Sequence, residues 1–227
     1  MKMTAINGSP KAADSTSAKI IEQMERILGE QIEAHHAARL VQGETPPETI
    51  AAILEADILL IVFPLYVDSL PTPLIELLAR LERAACRDIS RSAAGPQVFA
   101  IVNCGFYEAA QNTLALDMIE YFARRAGLPW GYGIGNGAGP MLASMGDNWA
   151  KGPASSVYRA LCDMAADMHR KVSNPNAGTQ NTSKPNVFVG PKFPRFMYKT
   201  VADLGMRLSA RRNKTRNLRA RPYKQQG

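Results

Sequence analysis

The sequence predicts a three-layer, doubly wound α/β fold, with a five-stranded parallel sheet between two layers of helices. Strand-like and helix-like segments alternate five times over roughly 170 residues, and this alternation is typical of such folds. Residues 58–63 (ILLIVF) and 98–102 (VFAIV) are short, continuous apolar runs, as expected of strands buried on both faces. Five strands of this kind favour the order 2-1-3-4-5.

Each element has a local signal of its own. Residues 2–6 begin a strand, and residues 15–28 follow with apolar side chains at the spacing of one helical face. The pattern then predicts a weak strand at 31–38, a helix after the two prolines at 46 and 47, the strand at 58–63, a helix at 73–84, the strand at 98–102, a helix at 109–126, an extended segment at 128–135 and a helix at 154–172.

The last part of the chain has a different composition. Residues 173–194 are rich in Asn, Thr, Ser, Pro and Gly and predict an irregular connection, after which residues 195–212 have helical spacing. We therefore expect a main domain at 1–172, a linker at 173–194 and a basic, helical C-terminal extension at 195–227.

The composition, with 46% hydrophobic and 21% charged residues, is that of one ordinary globular core. The longest apolar run, residues 58–67, is too short to span a bilayer and contains Pro64. The first residues lack the pattern of a secretory signal peptide. A cytoplasmic protein without an integral membrane span is the expectation.

Charge is distributed unevenly along the chain. Residues 1–183 hold 15 basic and 19 acidic groups, whereas residues 184–227 hold 12 and 1, which gives the net charge of +7. The basic character thus belongs to the C-terminal part, and the sequence as a whole is not that of a nucleic-acid-binding protein.

Cysteine and histidine positions argue against a metal site, a cluster or a disulfide framework. No pair of cysteines has C-x-x-C spacing, and two of the three histidines are adjacent and would point to opposite sides of a strand. The residues concerned are Cys86, Cys104, Cys162, His35, His36 and His169.

The loop after the first strand is rich in hydroxyl groups. Residues 7–17 (NGSPKAADSTS) place Ser15, Thr16 and Ser17 at the start of a helix, where free backbone N–H groups and the helix dipole attract a phosphate. The alternative is an ordinary turn in which Asp14 or Ser15 caps the helix. The loop is not a Walker A motif, so a nucleoside triphosphate is not expected.

Two further loops follow the strongest strands. Residues 64–71 (PLYVDSLP) expose Leu65 and Tyr66, which suits a flat ring, a subunit contact or the edge of the core. Residues 103–108 (NCGFYE) place backbone N–H groups around Gly105, beside two aromatic residues and a carboxylate. No histidine lies near Cys104 in the sequence, so a catalytic thiol is not favoured.

INGSPK with the following STS, FPLYVDSLP and NCGFYE together resemble the NAD(P)H-dependent FMN reductases of the flavodoxin-like superfamily. The resemblance extends to about residue 170 and implies bound FMN, NADPH or NADH as co-substrate, a small-molecule electron acceptor and a homodimer. It implies no catalytic side chain and no metal. Relatives that carry an iron–sulfur cluster have a compact cysteine motif, and only Cys86 lies between the second and third loops here.

The same resemblance implies three groups of cofactor-binding residues. One group surrounds the phosphate, one lies against the isoalloxazine, and one borders the opposite edge of that ring. They are, in turn, Ser9, Lys11, Ser15, Thr16 and Ser17; Pro64, Leu65 and Tyr66; and Asn103, Cys104, Gly105, Phe106 and Glu108. The first loop is one residue longer than the common family form, so which of residues 14–17 reaches the phosphate stays open.

Residues 131–139 are rich in glycine, and Gly133, Gly135 and Ala138 match G-x-G-x-x-[GA]. Because Pro140 follows and no helix is expected directly after the motif, a dinucleotide site is not favoured. Two interpretations remain: the glycines let the last strand approach a flavin, or they are flexible loop residues without a ligand.

The extension places Met197, Val201, Leu204 and Leu208 at helical spacing among many basic residues. Such a helix packs on its own domain, on a second subunit or on an anionic surface, and packing is the favoured expectation. Two rival functions share the predicted fold. One is a flavodoxin-type electron carrier without nicotinamide oxidation, and the other is a flavin-free interaction protein.

Overall fold

The computed structural model describes residues 1–11, 14–87, 95–146, 148–173, 184–192 and 194–213. It divides into two compact units, Met1–Lys192 and Phe193–Gly227. The first unit alternates strands and helices, as predicted. Its strands are β1 (Met3–Asn7), β2 (Glu33–His36), β3 (Ile58–Pro64), β4 (Gln97–Asn103), β5 (Trp130–Asn136) and β6 (Val187–Val189).

Seven α-helices are described in the first unit, together with the 3-10 turns Ala109–Asn112 and Gly152–Ala154. The helices are α1 (Thr16–Leu28), α2 (Ala37–Leu40), α3 (Pro47–Leu54), α4 (Thr72–Arg87), α5 (Thr113–Arg125), α6 (Gly139–Ser144) and α7 (Ser155–Ser173). Local signals set their ends: the Ser15 side chain accepts a hydrogen bond from the amide of Ala18, and Gly29 ends α1 with a left-handed φ of 69°.

The strands form one parallel sheet in the order β2-β1-β3-β4-β5-β6. The first five follow the predicted order, but the prediction of five strands is wrong, because β6 pairs beside β5. The prediction of an irregular connection over residues 173–194 is likewise wrong for Val187–Val189. This strand has only three residues, and contacts distant in sequence hold it: Asn186 Oδ1 accepts from the amide of Gly133 at 2.7 Å.

Alternate residues of the central strands enter two hydrophobic cores. In β3, Leu59, Ile61 and Phe63 pack toward α4 and α5, while the residues between them pack toward α1 and α7. Both sets are fully buried, which explains why the sequence shows an unbroken apolar run here rather than an alternating one. The sheet is thus a rigid platform that fixes where its loops begin.

The second unit contains α8 (Arg195–Arg212), the range that the periodicity predicts. Its described side chains include exposed apolar residues, and Arg207 forms an ion pair with Asp203 at 2.9 Å. Across the described residues of both units, no helix combines the length and the apolar character that crossing a bilayer requires.

Candidate functional site

The three predicted loops begin at one edge of the sheet. Because all strands are parallel, their carboxyl ends lie along the same edge. Pro64 at the end of β3, Asn103 at the end of β4 and Asn136 at the end of β5 are register partners. The backbone joins two of the loops directly, since the amide of Leu65 donates to the carbonyl of Asn103 at 2.9 Å.

The first loop is held by its own polar groups. The amide of Ser9 donates to Asn7 Oδ1 at 3.0 Å, and the amide of Lys11 donates to Ser9 Oγ at 3.2 Å. A residue that the sequence interpretation missed also contributes: His36 Nε2, at the end of β2, lies 3.0 Å from the carbonyl oxygen of Lys11. The register of β2 beside β1, which pairs Asn7 with His36, brings the imidazole to this loop.

The first turn of α1 connects this loop to the rest of the edge. Asn103 Nδ2 donates to Ser17 Oγ at 3.3 Å and to the carbonyl of Phe63 at 3.0 Å. The Thr16 hydroxyl donates to the carbonyl of Gly139 at 3.4 Å. The amides of Thr16 and Ser17 have no acceptor within the helix, because first-turn amides never do. They supply partial positive charge at this point.

The predicted phosphate-binding side chains differ in their exposure. Ser9, Ser15 and Ser17 are almost fully buried, Thr16 is half-buried and Lys11 is exposed. Ser15 is the N-cap of α1, as one interpretation of the sequence expected. Capping uses a lone pair of its oxygen and leaves the hydroxyl proton available, so capping does not exclude a contact with an anion.

The loop after β3 is a tight two-residue turn. The amides of Tyr66 and Ser69 each donate to the carbonyl of the other residue at 3.0 Å. Between them, Val67 and Asp68 have φ values of 50° and 57°, the left-handed region that turns of this kind require. A β-branched residue rarely adopts this conformation. Val67 adopts it here, and its side chain is 98% exposed at the tip of the turn. The turn therefore presents an apolar side chain to its surroundings.

The thiol of Cys104 is structural. It is 2% exposed, and it donates to the carbonyls of Phe106 and Glu108 at 3.6 and 3.8 Å. Burial raises the pKa of the Cys104 thiol, so the thiol stays protonated at neutral pH. The same loop leaves the Phe106 ring 57% exposed.

The glycine-rich segment packs against the chain itself. A Cβ on Gly133 would lie 2.3 Å from the Leu116 side chain, and one on Gly137 would lie 2.3 Å from the carbonyl oxygen of Tyr107. These contacts require close approach of the backbone. They explain the glycines at these two positions by close packing, contrary to the interpretation as flexible loop residues. The approach of this strand to a flavin stays a prediction.

A helix does begin directly after this segment, contrary to expectation. α6 starts at Gly139 with Pro140 in its first turn, a position that tolerates proline because the amide has no partner there. The amides of Gly137, Ala138 and Gly139 donate to the carbonyls of Val189, Phe106 and Cys104, respectively. These donors are therefore not available to a pyrophosphate, and the segment instead braces the loop after β4.

Asn136 is a second polar residue that the sequence interpretation missed. It is fully buried, and neither Oδ1 nor Nδ2 has a hydrogen-bond partner among the described residues. Buried amides are rarely left in this state. One signal was available in the sequence, because β1, β4 and β5 each end in asparagine: Asn7, Asn103 and Asn136.

No family model matches the chain, and no curated protein matches it in sequence. Solved structures do match in three dimensions. An NADPH-quinone reductase from P. pentosaceus has 16% identity and a TM-score of 0.54, with 73% of this chain and 98% of that chain covered. An NADH:FMN oxidoreductase (EmoB) has 20% identity and a TM-score of 0.53, with 72% and 87% covered.

The flavoenzyme NAD(P)H:(acceptor) oxidoreductase FerB from Paracoccus denitrificans has 14% identity and a TM-score of 0.52, with 77% of this chain and 98% of that chain covered. Together with the order of the first five strands, these likenesses decide the architecture. The fold is flavodoxin-like. At these identities the likenesses show the fold alone, and the roles of individual residues rest on the geometry of this chain.

Proposed function

We propose that this protein is an FMN-dependent NAD(P)H oxidoreductase. It would pass two electrons from a nicotinamide to a small acceptor, such as a quinone, a nitro or azo compound, a metal ion or a flavin. Structures of the same fold include an NADH:FMN oxidoreductase and an NADPH-quinone reductase. The convergence of the three loops at one edge of the sheet supports the same assignment here.

The observation that carries this proposal is the bond from Asn103 Nδ2 to Ser17 Oγ. It connects the first turn of α1, where a phosphate would bind, to the end of β4, where the third loop begins. Asn103 also binds the carbonyl of Phe63, next to the start of the second loop. One buried amide therefore fixes the geometry of all three loops relative to one another.

The residues present fit the phosphate of FMN. The amides of Thr16 and Ser17 and the positive end of the α1 dipole favour a dianion. In this proposal, the hydroxyl protons of Ser9, Ser15 and Ser17 complete the donor set, with Thr16 beside them. The ammonium group of Lys11, which is exposed, supplies a full positive charge.

The flavin ring would lie between the second and third loops. Tyr66, which is 46% exposed, and the partly exposed Pro64 offer an apolar surface on one side. The predicted exposure of Leu65 is wrong, because its side chain is buried in the hydrophobic core, from which it would support this surface. The loop from Asn103 to Glu108 borders the other side, with Gly105 providing close access and Phe106 a second aromatic surface. Cys104 takes part through the backbone that its thiol holds in place.

Within this scheme, FMN supplies the hydride-accepting chemistry when it is bound, as flavins do. The residues of the chain bind and orient it, and the apolar side chains of the second loop exclude water from one face of the ring. No side chain has to donate or accept a proton. Asn136 would hydrogen-bond a polar group that enters the edge of the sheet, because its amide has no partner among the described residues.

The first test concerns FMN itself. The purified protein is expected to show a visible flavin spectrum, either as isolated or after addition of FMN. Ser15→Ala combined with Ser17→Ala should weaken FMN binding by about 1–3 kcal/mol, the range for hydrogen bonds to a charged group. Ser173→Ala, at the exposed end of α7, is the matched control. An unchanged FMN dissociation constant would remove the phosphate assignment.

The second test separates this function from its two rivals. The FMN-loaded protein, mixed without oxygen with NADH and then NADPH, should lose its visible absorbance with at least one of them. A protein that binds FMN but is not reduced by either nicotinamide is an electron carrier. A protein that stays colourless with added FMN is a flavin-free member of this fold.

We also propose a homodimer, built on an exposed apolar patch beside the site. The tip of the second loop contacts α5, with Ser69 Oγ 3.9 Å from Met118 Sδ, and α5 continues the patch along one face. Its members are 40–98% exposed, which is unusual for a contiguous set in a monomer. They are Tyr66, Val67, Leu114, Met118 and Tyr121.

Light scattering after size exclusion tests the dimer. Leu114→Glu combined with Met118→Glu should convert the dimer into a monomer, because each added carboxylate would be desolvated at the interface. Arg159→Glu, exposed on α7, should leave the mass unchanged. A monomeric wild-type protein contradicts the proposal.

A further inference from the structure

The second structural unit carries the positive charge of this protein. Residues 193–227 contain ten lysines and arginines and one aspartate, a net charge of +9. Residues 1–192 have a net charge of −2, and the two values add to the +7 of the whole chain. A charge of this density in 35 residues predicts a polyanionic partner.

α8 combines this charge with an apolar stripe. The helix has 18 residues and is therefore about 27 Å long. Met197, Leu204 and Leu208 recur at helical spacing on one face, and they are 45, 57 and 56% exposed. Arg211 and Arg212 lie on opposite sides of this stripe, each within about 60° of it around the helix axis.

α8 has few stabilising interactions of its own. Most helical stability in proteins comes from packing of an apolar face and not from helix propensity. The N-cap, Pro194, makes no side-chain capping bond, and the surface ion pair between Arg207 and Asp203 adds little. The stripe of α8 therefore requires an apolar surface, while its arginines require anions.

We infer that α8 lies on the surface of an anionic lipid bilayer. Such a surface meets both requirements: the stripe enters the acyl boundary, and the flanking arginines extend to the phosphates of the headgroups. A nucleic acid would use the charge but has no place for the stripe. The helix lies on the membrane and does not cross it, in keeping with its six charged residues.

The expected strength follows from the charge. Each lysine or arginine near an anionic leaflet contributes about 1 kcal/mol, which is roughly a fivefold change in partitioning. Removal of three arginines should therefore lower binding by about 100-fold. This attraction is electrostatic and extends over about one Debye length, which becomes shorter as salt is added. Raised salt should therefore release the protein from the vesicles.

Vesicle flotation with the full-length protein tests the inference. The probes are vesicles of phosphatidylcholine alone and vesicles with about 30 mol% phosphatidylserine, and only the latter should carry the protein. Arg207→Gln with Arg211→Gln and Arg212→Gln should abolish flotation. Arg83→Gln with Arg159→Gln, two exposed arginines of the first unit, should not.

A second pair of variants tests the stripe. Met197→Ser with Leu204→Ser and Leu208→Ser keeps every charge and should lower flotation at least tenfold. Phe196→Ser with Met206→Ser removes residues that are 69 and 70% exposed but lie off the stripe, and it should change flotation little. Circular dichroism and thermal unfolding confirm that all variants fold.

Three results would overturn the inference. If the wild-type protein folds normally yet floats with neither vesicle, α8 packs on protein. If the stripe variant floats as well as the wild type, charge alone is responsible. If duplex DNA binds wild type and stripe variant equally and displaces both from vesicles, nucleic acid is the partner. None of these measurements depends on bound FMN.

Discussion

The replacement Gly137→Ala distinguishes the structural account of the glycine-rich segment from the interpretation as a flexible loop. The added Cβ would lie 2.3 Å from the carbonyl oxygen of Tyr107, 3.0 Å from its carbonyl carbon and 3.1 Å from the amide nitrogen of Ala109. All three atoms belong to the backbone, so no side chain can rotate away. The Tyr107 carbonyl must move by roughly 0.7 Å to reach a contact of 3.0 Å.

Forcing an extra methyl group into a packed site costs about 1–3 kcal/mol. A cost of about 2 kcal/mol corresponds to a fall in Tm of roughly 4–8 °C for a chain of this length. If the glycine were merely flexible, alanine would instead stabilise the protein by about 0.4–1 kcal/mol, because it restricts the unfolded chain. The two accounts therefore predict shifts of opposite sign.

Differential scanning calorimetry of the flavin-free protein measures this shift. Gly43→Ala is the matched control, since a Cβ at Gly43 has no described atom within 4 Å. A Tm for Gly137→Ala equal to or above that of Gly43→Ala would refute the packing argument. If FMN binds as proposed, Gly137→Ala should also weaken its binding, because the loop after β4 must shift.

Two further predictions concern stability. Val67→Asn should raise Tm by a few degrees, since Val67 has a φ of 50° and asparagine tolerates this region far better. Ile75→Asn, at an exposed β-branched residue with ordinary helical geometry on α4, should bring no gain, and a lower Tm for Val67→Asn would contradict the strain. Burial opposes the ionisation of Asp167, but hydrogen bonds from Lys184 and Arg170 outweigh it and keep the pKa of Asp167 below its usual value. The folded state therefore gains stability from Asp167 above the unfolded pKa of about 4 and loses it as pH falls through the lower folded pKa. Asp167→Asn should lower the free energy of unfolding at neutral pH and reduce its pH dependence below about pH 4, as urea titrations would show; an unchanged pH dependence would contradict this.

Local signals were enough to locate most elements of the first unit. The run ILLIVF at 58–63 predicts β3, and Ser15 predicts the start of α1, because the interactions that decide them lie within a few residues. The positions of the three loops follow as well, since parallel strands end at one edge. A short strand such as β6 has too few residues for a periodic signal, and its place depends on Asn186 and Gly133, which are far apart in sequence.

The candidate site likewise has features that the sequence predicts and features that only the structure shows. Which loops carry hydroxyl, aromatic and amide groups was visible in the sequence, and so was the capping serine. Three features required the structure: Asn103 joins the loops, Asn136 lies buried without a partner among the described residues, and the Cys104 thiol is buried. Hydrogen bonds and burial between distant residues depend on how the strands are ordered, and this order is a property of the assembled sheet.

The sequence alone thus determined the alternation of strands and helices, the buried central strands and the concentration of positive charge in the last residues, because each depends on neighbours along the chain. Only the tertiary structure decided the sixth strand and the role of the glycines in packing. Both depend on close contacts between residues distant in sequence. At the contact of Gly137 with the Tyr107 backbone, for example, one added Cβ atom would lower the free energy of unfolding. Periodicity does not encode distances of this kind, because it reports a residue's own environment and not the identity of the atoms that it meets.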